Sequence, residues 1–321
     1  MQQSSIYPAS WYPLCETSEV PFGFIKHIQA FDNELVLFRD TSGLVKAIAA
    51  RCPHMGANLA RGHVVDGCIE CPLHHWQFDG AGRCRQISGV NDIPAHIDLP
   101  ALHCEEHYGV IWGFLGGTPR FAFPNMRDAD RWFTRAHILD FDIPYQIFIA
   151  NPFDTQHFVT VHHRELIGAP ETVSEDPYHH GLKFSAIVRG RELHDRLLRA
   201  MGVRTVMLEG HCWGGSILFG YNARTNMRTL LSILPITAQH TRVFMISVLA
   251  QQTAPRFPQF VRRFILSVSH LLTLAFLKND VAVMRDLQFK IGTLLPELDR
   301  HYIQWLQYWR RLPKVSFTEK P

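Results

Sequence analysis

The sequence lacks a basic N-terminal region followed by an apolar core, so residues 1–10 give no targeting peptide and a cytoplasmic location is expected. Its longest apolar stretch, residues 264–277, is broken by Ser267, Ser269, His270 and Thr273. That run falls short of the roughly 20 residues a membrane-spanning helix needs, so no integral membrane segment is expected. No G-x-G-x-x-G fingerprint occurs, which removes NAD(P)H and flavin from the ligands expected on this chain. Charge of one sign is not in excess: the net charge is +3 and the basic residues are scattered, which argues against a nucleic-acid partner. Cysteine is sparse. Seven thiols, an odd number, in a chain of 321 residues do not make a disulfide framework.

What is present is an ordinary globular balance, 46% hydrophobic and 19% charged, with length enough for two domains. The first third reads as strands joined by tight turns. Residues 35–38 and 44–48 flank Asp40-Thr41-Ser42-Gly43, and residues 76–78 and 83–87 flank Asp79-Gly80-Ala81-Gly82. A strand at 109–115 stops at Gly116-Gly117-Thr118-Pro119, which sets a domain boundary at 118/119. Beyond it, extended segments are expected at 183–188, 212–222, 229–234 and 241–249. From Pro258 the pattern turns helical, with Phe260, Phe264, Ile265, Val268, Leu271 and Leu272 three and four apart. Pro296 opens another helix, with Leu298, Tyr302, Trp305, Leu306 and Trp309 along one stripe. The fold class expected is α+β: an all-β domain over 1–118, then a domain over 119–321 with helices packed on an antiparallel sheet.

With nineteen histidines, spacing alone can promote one to a ligand. Cys52-Pro53-His54 is followed, sixteen residues on, by Cys71-Pro72-Leu73-His74. Each loop offers one thiolate and one imidazole, as a [2Fe–2S] centre with two Cys on one iron and two His on the other requires. Structural zinc also takes two Cys and two His, but it commonly keeps its Cys pair together and its His pair together. Cys68 and Cys84 lie off the pattern and read as small buried residues. His75 reads as a neighbour of the site, with a one-residue slip left open.

Residues 52–74 match the Rieske signature, and residues 12–117 resemble the Rieske domain of ring-hydroxylating oxygenases. Rieske proteins of the cytochrome bc type carry an extra Cys in each loop; Ala57 and Leu73 stand there in this chain, which favours the oxygenase and ferredoxin branch.

A second segment runs from Asn151 to His163. Asn151-Pro152 reads as a helix start, with Asn as N-cap and Pro at the first helical position. Asp154 and His157 then share a face, while His162 lies about 140° around an ideal helix and can join His157 only if the helix bends or ends. Alone, the segment is equally well read as a capping Asp154 and a core His157. Beside the upstream cluster, N-x-x-D-x-x-H-x-x-x-x-H resembles the catalytic motif of Rieske non-haem iron oxygenases. The resemblance implies His157 and His162 as iron ligands, with His162 preferred over His163. It implies Asp154 as a bridge for electrons from a neighbouring subunit's cluster, and Asn151 as a residue lining the site. It also implies a carboxylate ligand from the late helix. Asp280 is the choice over Asp286, which points about 240° away on a regular helix. A facial set of two His and one carboxylate leaves positions open on Fe(II) for O2 and substrate.

The resemblance further implies a helix-grip catalytic domain and the oxygenase component of a multi-protein system. It would take electrons from a ferredoxin and/or ferredoxin reductase that itself binds NAD(P)H and flavin. O2 is the co-substrate, and hydroxylation or dealkylation of an apolar aromatic or alicyclic molecule is expected, with monooxygenation favoured over dioxygenation. A homotrimer is expected. The competing readings are an electron carrier with a C-terminal docking module and a zinc-stabilised binding protein.

Overall fold

The structure is a computed structural model that describes residues 6–124, 132–200, 202–222, 227–250, 258–284, 287 and 291–318. It divides into two compact units: residues 1–122 with 234–238 and 313–321, and residues 123–233 with 239–312. The division falls at Ala122 rather than at 118, and the C-terminal residues belong to the first unit instead of the second. The reason is backbone pairing. Lys314–Val315 pairs antiparallel with Tyr7–Pro8, and the carbonyls of Pro235 and Ile236 accept from the amides of Phe31 and Asp32.

Among its described residues the first unit is all-β apart from single 3₁₀ turns. Its six-stranded sheet runs Trp11–Glu16, Val110–Phe114, Ala101–His107, Val45–Ala49, Asn33–Arg39, Lys26–Ala30 in spatial order. The hairpin expected around Asp40 is there. Asp40 Oδ1 accepts from the amides of Ser42 and Leu44, and Gly43 takes the left-handed φ of 81° that closes the turn. A smaller four-stranded sheet, His63–Val65, Cys68–Glu70, Gln77–Phe78 and Cys84–Gln86, carries one cysteine-bearing loop between its second and third strands.

The second unit is a seven-stranded antiparallel sheet ordered Trp132–Phe141, Thr241–Ala250, Met227–Pro235, Ile217–Asn222, Thr205–Trp213, His179–Val188, Arg164–Val173. Among the described residues five α-helices accompany it: α1 Tyr145–Ala150, α2 Thr155–Thr160, α3 Leu193–Ala200, α4 Gln259–Met284 and α5 Arg300–Arg311. The class is α+β, with helices on an antiparallel sheet. The extended segment expected at 212–222 is two strands, because Gly214 and Gly215 both take positive φ (58° and 71°) and turn the chain back on itself. α4 is longer than its uninterrupted apolar run. At 26 residues it is long and apolar enough, by length and composition, to cross a membrane. In this fold it packs on Trp132–Phe141 and Thr241–Ala250. Its buried face is Leu266, His270, Leu277, Asp280 and Met284, whereas Phe260, Phe264 and Leu271 of the helical pattern are exposed.

Candidate metal centres

The two cysteine-bearing loops have the same backbone. The amide of Cys52 donates to Ala57 O and that of Gly56 to Cys52 O, both at 2.9 Å. The amide of Cys71 donates to Trp76 O at 2.8 Å and that of His75 to Cys71 O at 3.1 Å. Gly56 and His75 therefore hold equivalent positions, and both are left-handed, with φ of 74° and 57°. Glycine adopts that conformation freely; histidine does so at a cost. The twist turns His75 out to Glu70, whose Oε1 lies 2.8 Å from His75 Nδ1. His75 is outside the converging group, and His74 is in it.

Cys52 and Cys71 are buried in the core of this unit beside Leu59, Ile69 and Phe78. Burial pushes the Cys52 thiol up to about 11, and the Cys71 side chain bonded to it pushes the same way. Thiols so placed give up their protons to a metal rather than to water. His54 and His74 are exposed, with their Nδ1 atoms 3.1 Å apart, and Trp76 stacks on His54 at 4.5 Å between centroids and 7° between planes. Two inner sulfurs and two outer nitrogens fit a [2Fe–2S] cluster whose histidine-held iron faces solvent. Cys84 is buried and Cys68 half-buried, and all seven cysteines are free thiols.

In the second unit the local chain departs from the sequence expectation in a way that builds the site. Asn151 is not the cap of the helix: residues Asn151–Phe153 form a 3₁₀ turn following α1. The N-cap of α2 is Asp154, whose Oδ1 accepts from the amides of Gln156 and His157 at 2.9 and 3.2 Å. Asp154 therefore stands before the helix rather than on its face with His157. Its backbone oxygen accepts from His157 Nδ1 at 2.6 Å, which fixes the tautomer and leaves the Nε2 lone pair for a ligand. α2 ends at Thr160, and the amides of Val161 and His162 both turn back to His157 O. That termination brings the His162 ring to 5.1 Å from the His157 ring, which a continuing helix would not.

Asp280 comes from the buried face of α4. Its Oδ1 lies 2.8 Å from His162 Nε2 and 3.7 Å from His157 Nε2, and one ligand atom from each of the three residues falls within 4.8 Å of the others. All three are buried. Burial also lowers the pKa of His157, with Asp280 opposing, and the neutral imidazole is the ligand form. His162 Nε2 and Asp280 Oδ1 make no hydrogen bond despite complete burial. Orphaned acceptors of this kind are costly unless something binds them, and two imidazoles with a carboxylate fit a divalent iron. Asn151 Nδ2 is 3.4 Å from His157 Nε2, so Asn151 adjoins the site. Asp286 lies outside the described residues.

These residues open onto a cavity of about 170 Å³ that is apolar apart from the site itself and a few polar groups. Phe158, Phe219 and Leu231 line it, whereas Leu230 and Phe244 are fully buried core. Sequence reasoning did not find Phe148, Leu182, Phe184, Phe276 or the glycines at 210 and 220, which also line it; for the strand residues among them, alternation was the available signal. A second close group, Glu175, His179 and His211, has its ring nitrogens engaged already. The Glu175 amide donates to His179 Nδ1, His179 Nε2 meets His211 Nδ1 at 2.8 Å, and His211 Nε2 meets Glu209 at 3.1 Å. That chain of hydrogen bonds leaves no nitrogen lone pair for a metal.

Comparison with known proteins agrees with this geometry. The family model for the Rieske [2Fe-2S] domain matches residues 10–97. Cholesterol 7-desaturase nvd of Bombyx mori is 39% identical over 107 residues, 33% of this chain and 24% of that protein. Aminopyrrolnitrin oxygenase PrnD of Pseudomonas fluorescens is 32% identical over 167 residues, 48% of this chain and 46% of that protein. The matches thus span between a quarter and a half of the length of these curated relatives. In fold the likeness is wider. Dicamba monooxygenase bound to dicamba superposes with a TM-score of 0.72 at 18% identity, over 96% of this chain and 98% of that one. Pseudomonas putida CBB5 NdmA with caffeine gives 0.69 at 17%, over 94% and 89%. The N-terminal unit is a Rieske domain, the seat of a [2Fe–2S] cluster. Across the rest of the chain the fold is shared with dicamba monooxygenase and NdmA.

Proposed function

We propose that this chain is the terminal oxygenase of an electron-transfer system, acting on a small apolar ring molecule. The observation that carries the reading is the buried His157–His162–Asp280 group opening directly onto an apolar cavity. An electron carrier has no use for such a cavity beside a metal site. His157, His162 and Asp280 would hold a ferrous iron, which when bound would supply the activation of O2.

The chain's own residues do the rest. The Asp154 carbonyl holds the His157 ring in one tautomer and orientation. Phe148, Phe158, Phe184 and Leu182 exclude water and pack an apolar substrate against the site. The exposed His54–His74 edge presents the cluster to a donor, for which a ferredoxin and/or an NAD(P)H-dependent ferredoxin reductase is the proposed class. Asp154 is proposed to bridge to a cluster of a neighbouring subunit in a homotrimer. Free cysteines throughout suit the reducing cytoplasm. Among outcomes we favour insertion of one oxygen, as hydroxylation or dealkylation, over two.

The test is turnover of the reconstituted protein with a reductase, ¹⁸O2 and a panel of apolar ring compounds, read by mass spectrometry. One labelled oxygen in the product, or in the aldehyde released on dealkylation, supports the proposal. O2 consumption that no compound in the panel alters, with no labelled product, supports an electron carrier instead.

A further inference from the structure

Glycine weakens a strand interior, and where it occurs there the backbone commonly demands it through a positive φ or a close approach. Gly210 and Gly220 meet neither demand. They face each other across Thr205–Trp213 and Ile217–Asn222, and neither takes the left-handed φ. A Cβ added to Gly210 would meet nothing within 4 Å, and one on Gly220 would meet only the Thr229 carbonyl oxygen at 3.8 Å. By contrast, a Cβ on Gly62 would sit 2.0 Å from the Glu70 carbonyl oxygen. Gly62 is required by the backbone; Gly210 and Gly220 are not.

Their place in the sheet supplies the reason. Cross-strand partners share a face, and the register runs Leu182 to Gly210, Gly210 to Gly220 and Gly220 to Thr229. All four residues line the cavity that holds His157, His162 and Asp280. The two middle members of the row carry no side chain. Leu208 and Leu218, each two residues before a glycine on antiparallel strands, stand at opposite ends of the gap and also line the cavity. The floor is thus a bare strip of peptide two strands wide, roughly 10 Å across at the usual strand spacing, walled by Leu182, Thr229, Leu208 and Leu218.

We propose that the Gly210–Gly220 pair is the size-determining floor of the substrate site, on which the flat face of a planar system of at least two fused rings lies. The inference rests on reading the cavity as the substrate site of an oxygenase. It adds the shape of the substrate, and it names two residues kept as glycine for the ligand rather than for the fold.

The test measures binding without turnover. The metal-loaded protein is titrated anaerobically by calorimetry with toluene and with 2-methylnaphthalene, as wild type and as Gly210→Ala, Gly210→Leu and Gly220→Leu. Wild type should bind the two-ring probe more tightly. Each Leu variant should weaken it by about tenfold or more while changing toluene less than about twofold, with Ala between. The melting temperature should hold or rise, since strand positions favour a side chain. The proposal is overturned by equal loss of both probes, by no change in either, by wild type binding neither, or by a fall in melting temperature already present in Gly210→Ala. Because no O2 is consumed, a protein that binds as stated yet oxidises nothing would refute the oxygenase reading and leave the floor intact.

Discussion

The ring of Phe276 stacks on that of His162 with centroids 3.7 Å apart and planes 10° from parallel. Arg164 ties into the same arrangement. Its guanidinium lies 5.6 Å from the Phe276 centroid, its Nη1 donates to His162 O at 2.8 Å, and its Nη2 is 2.7 Å from the buried carboxylate of Asp195. His162 makes no hydrogen bond through its ring, so stacking and its anchored backbone hold the imidazole in place. Phe276→Ala should therefore weaken iron at the second site by about 10–100-fold, as loss of a supporting contact commonly does. Iron titration checks this, and the Rieske electron paramagnetic resonance signal should be unchanged.

His157→Ala and Asp280→Ala should each abolish oxygenation and leave the cluster spectrum intact, since both residues belong to the second unit and the cluster loops to the first. Retention of product formation by either variant would count against the ligand assignment.

Asp154 has two separable roles to test. As N-cap of α2 it bonds two amides, so Asp154→Ala should cost about 1 kcal/mol of stability. Asp154→Ser keeps a capping oxygen without the charge. If the carboxylate also conducts electrons, the Ser variant should melt like wild type yet reoxidise its cluster slowly during turnover. Rapid reoxidation in Asp154→Ser would leave capping as the whole of its role.

His75→Gly should keep the cluster. The position is left-handed and equivalent to Gly56, so glycine relieves a strained φ while the bond to Glu70 is lost. The visible absorption of the oxidised cluster should be unaltered, whereas His74→Gly should bleach it.

Local chemistry made much of this legible in the sequence. The two loops announce themselves because their ligands lie within three residues of one another, and turns such as Asp40–Gly43 are written in a few side chains. His157 and His162 were readable as a conditional pair, and the condition is met where α2 stops after Thr160. What depended on tertiary contacts was harder to read. Phe260, Phe264 and Leu271 form an apolar stripe indistinguishable from a core face, yet the buried face of α4 is the one bearing His270 and Asp280. Helical periodicity gives a face, not the side on which the sheet lies. Asn151 looked like a cap because Asn-Pro starts many helices; here α1 already occupies the preceding turn, and the cap passes to Asp154.

The central claim, two iron stations in one chain with the second at His157, His162 and Asp280, is tested most directly by metal and sulfide analysis after anaerobic ferrous reconstitution. Wild type should hold about three irons and two acid-labile sulfides per chain, and His157→Ala with Asp280→Ala about two and two. A wild-type chain that stops at two irons, or one whose iron content is the same as that of the double variant, would contradict the account.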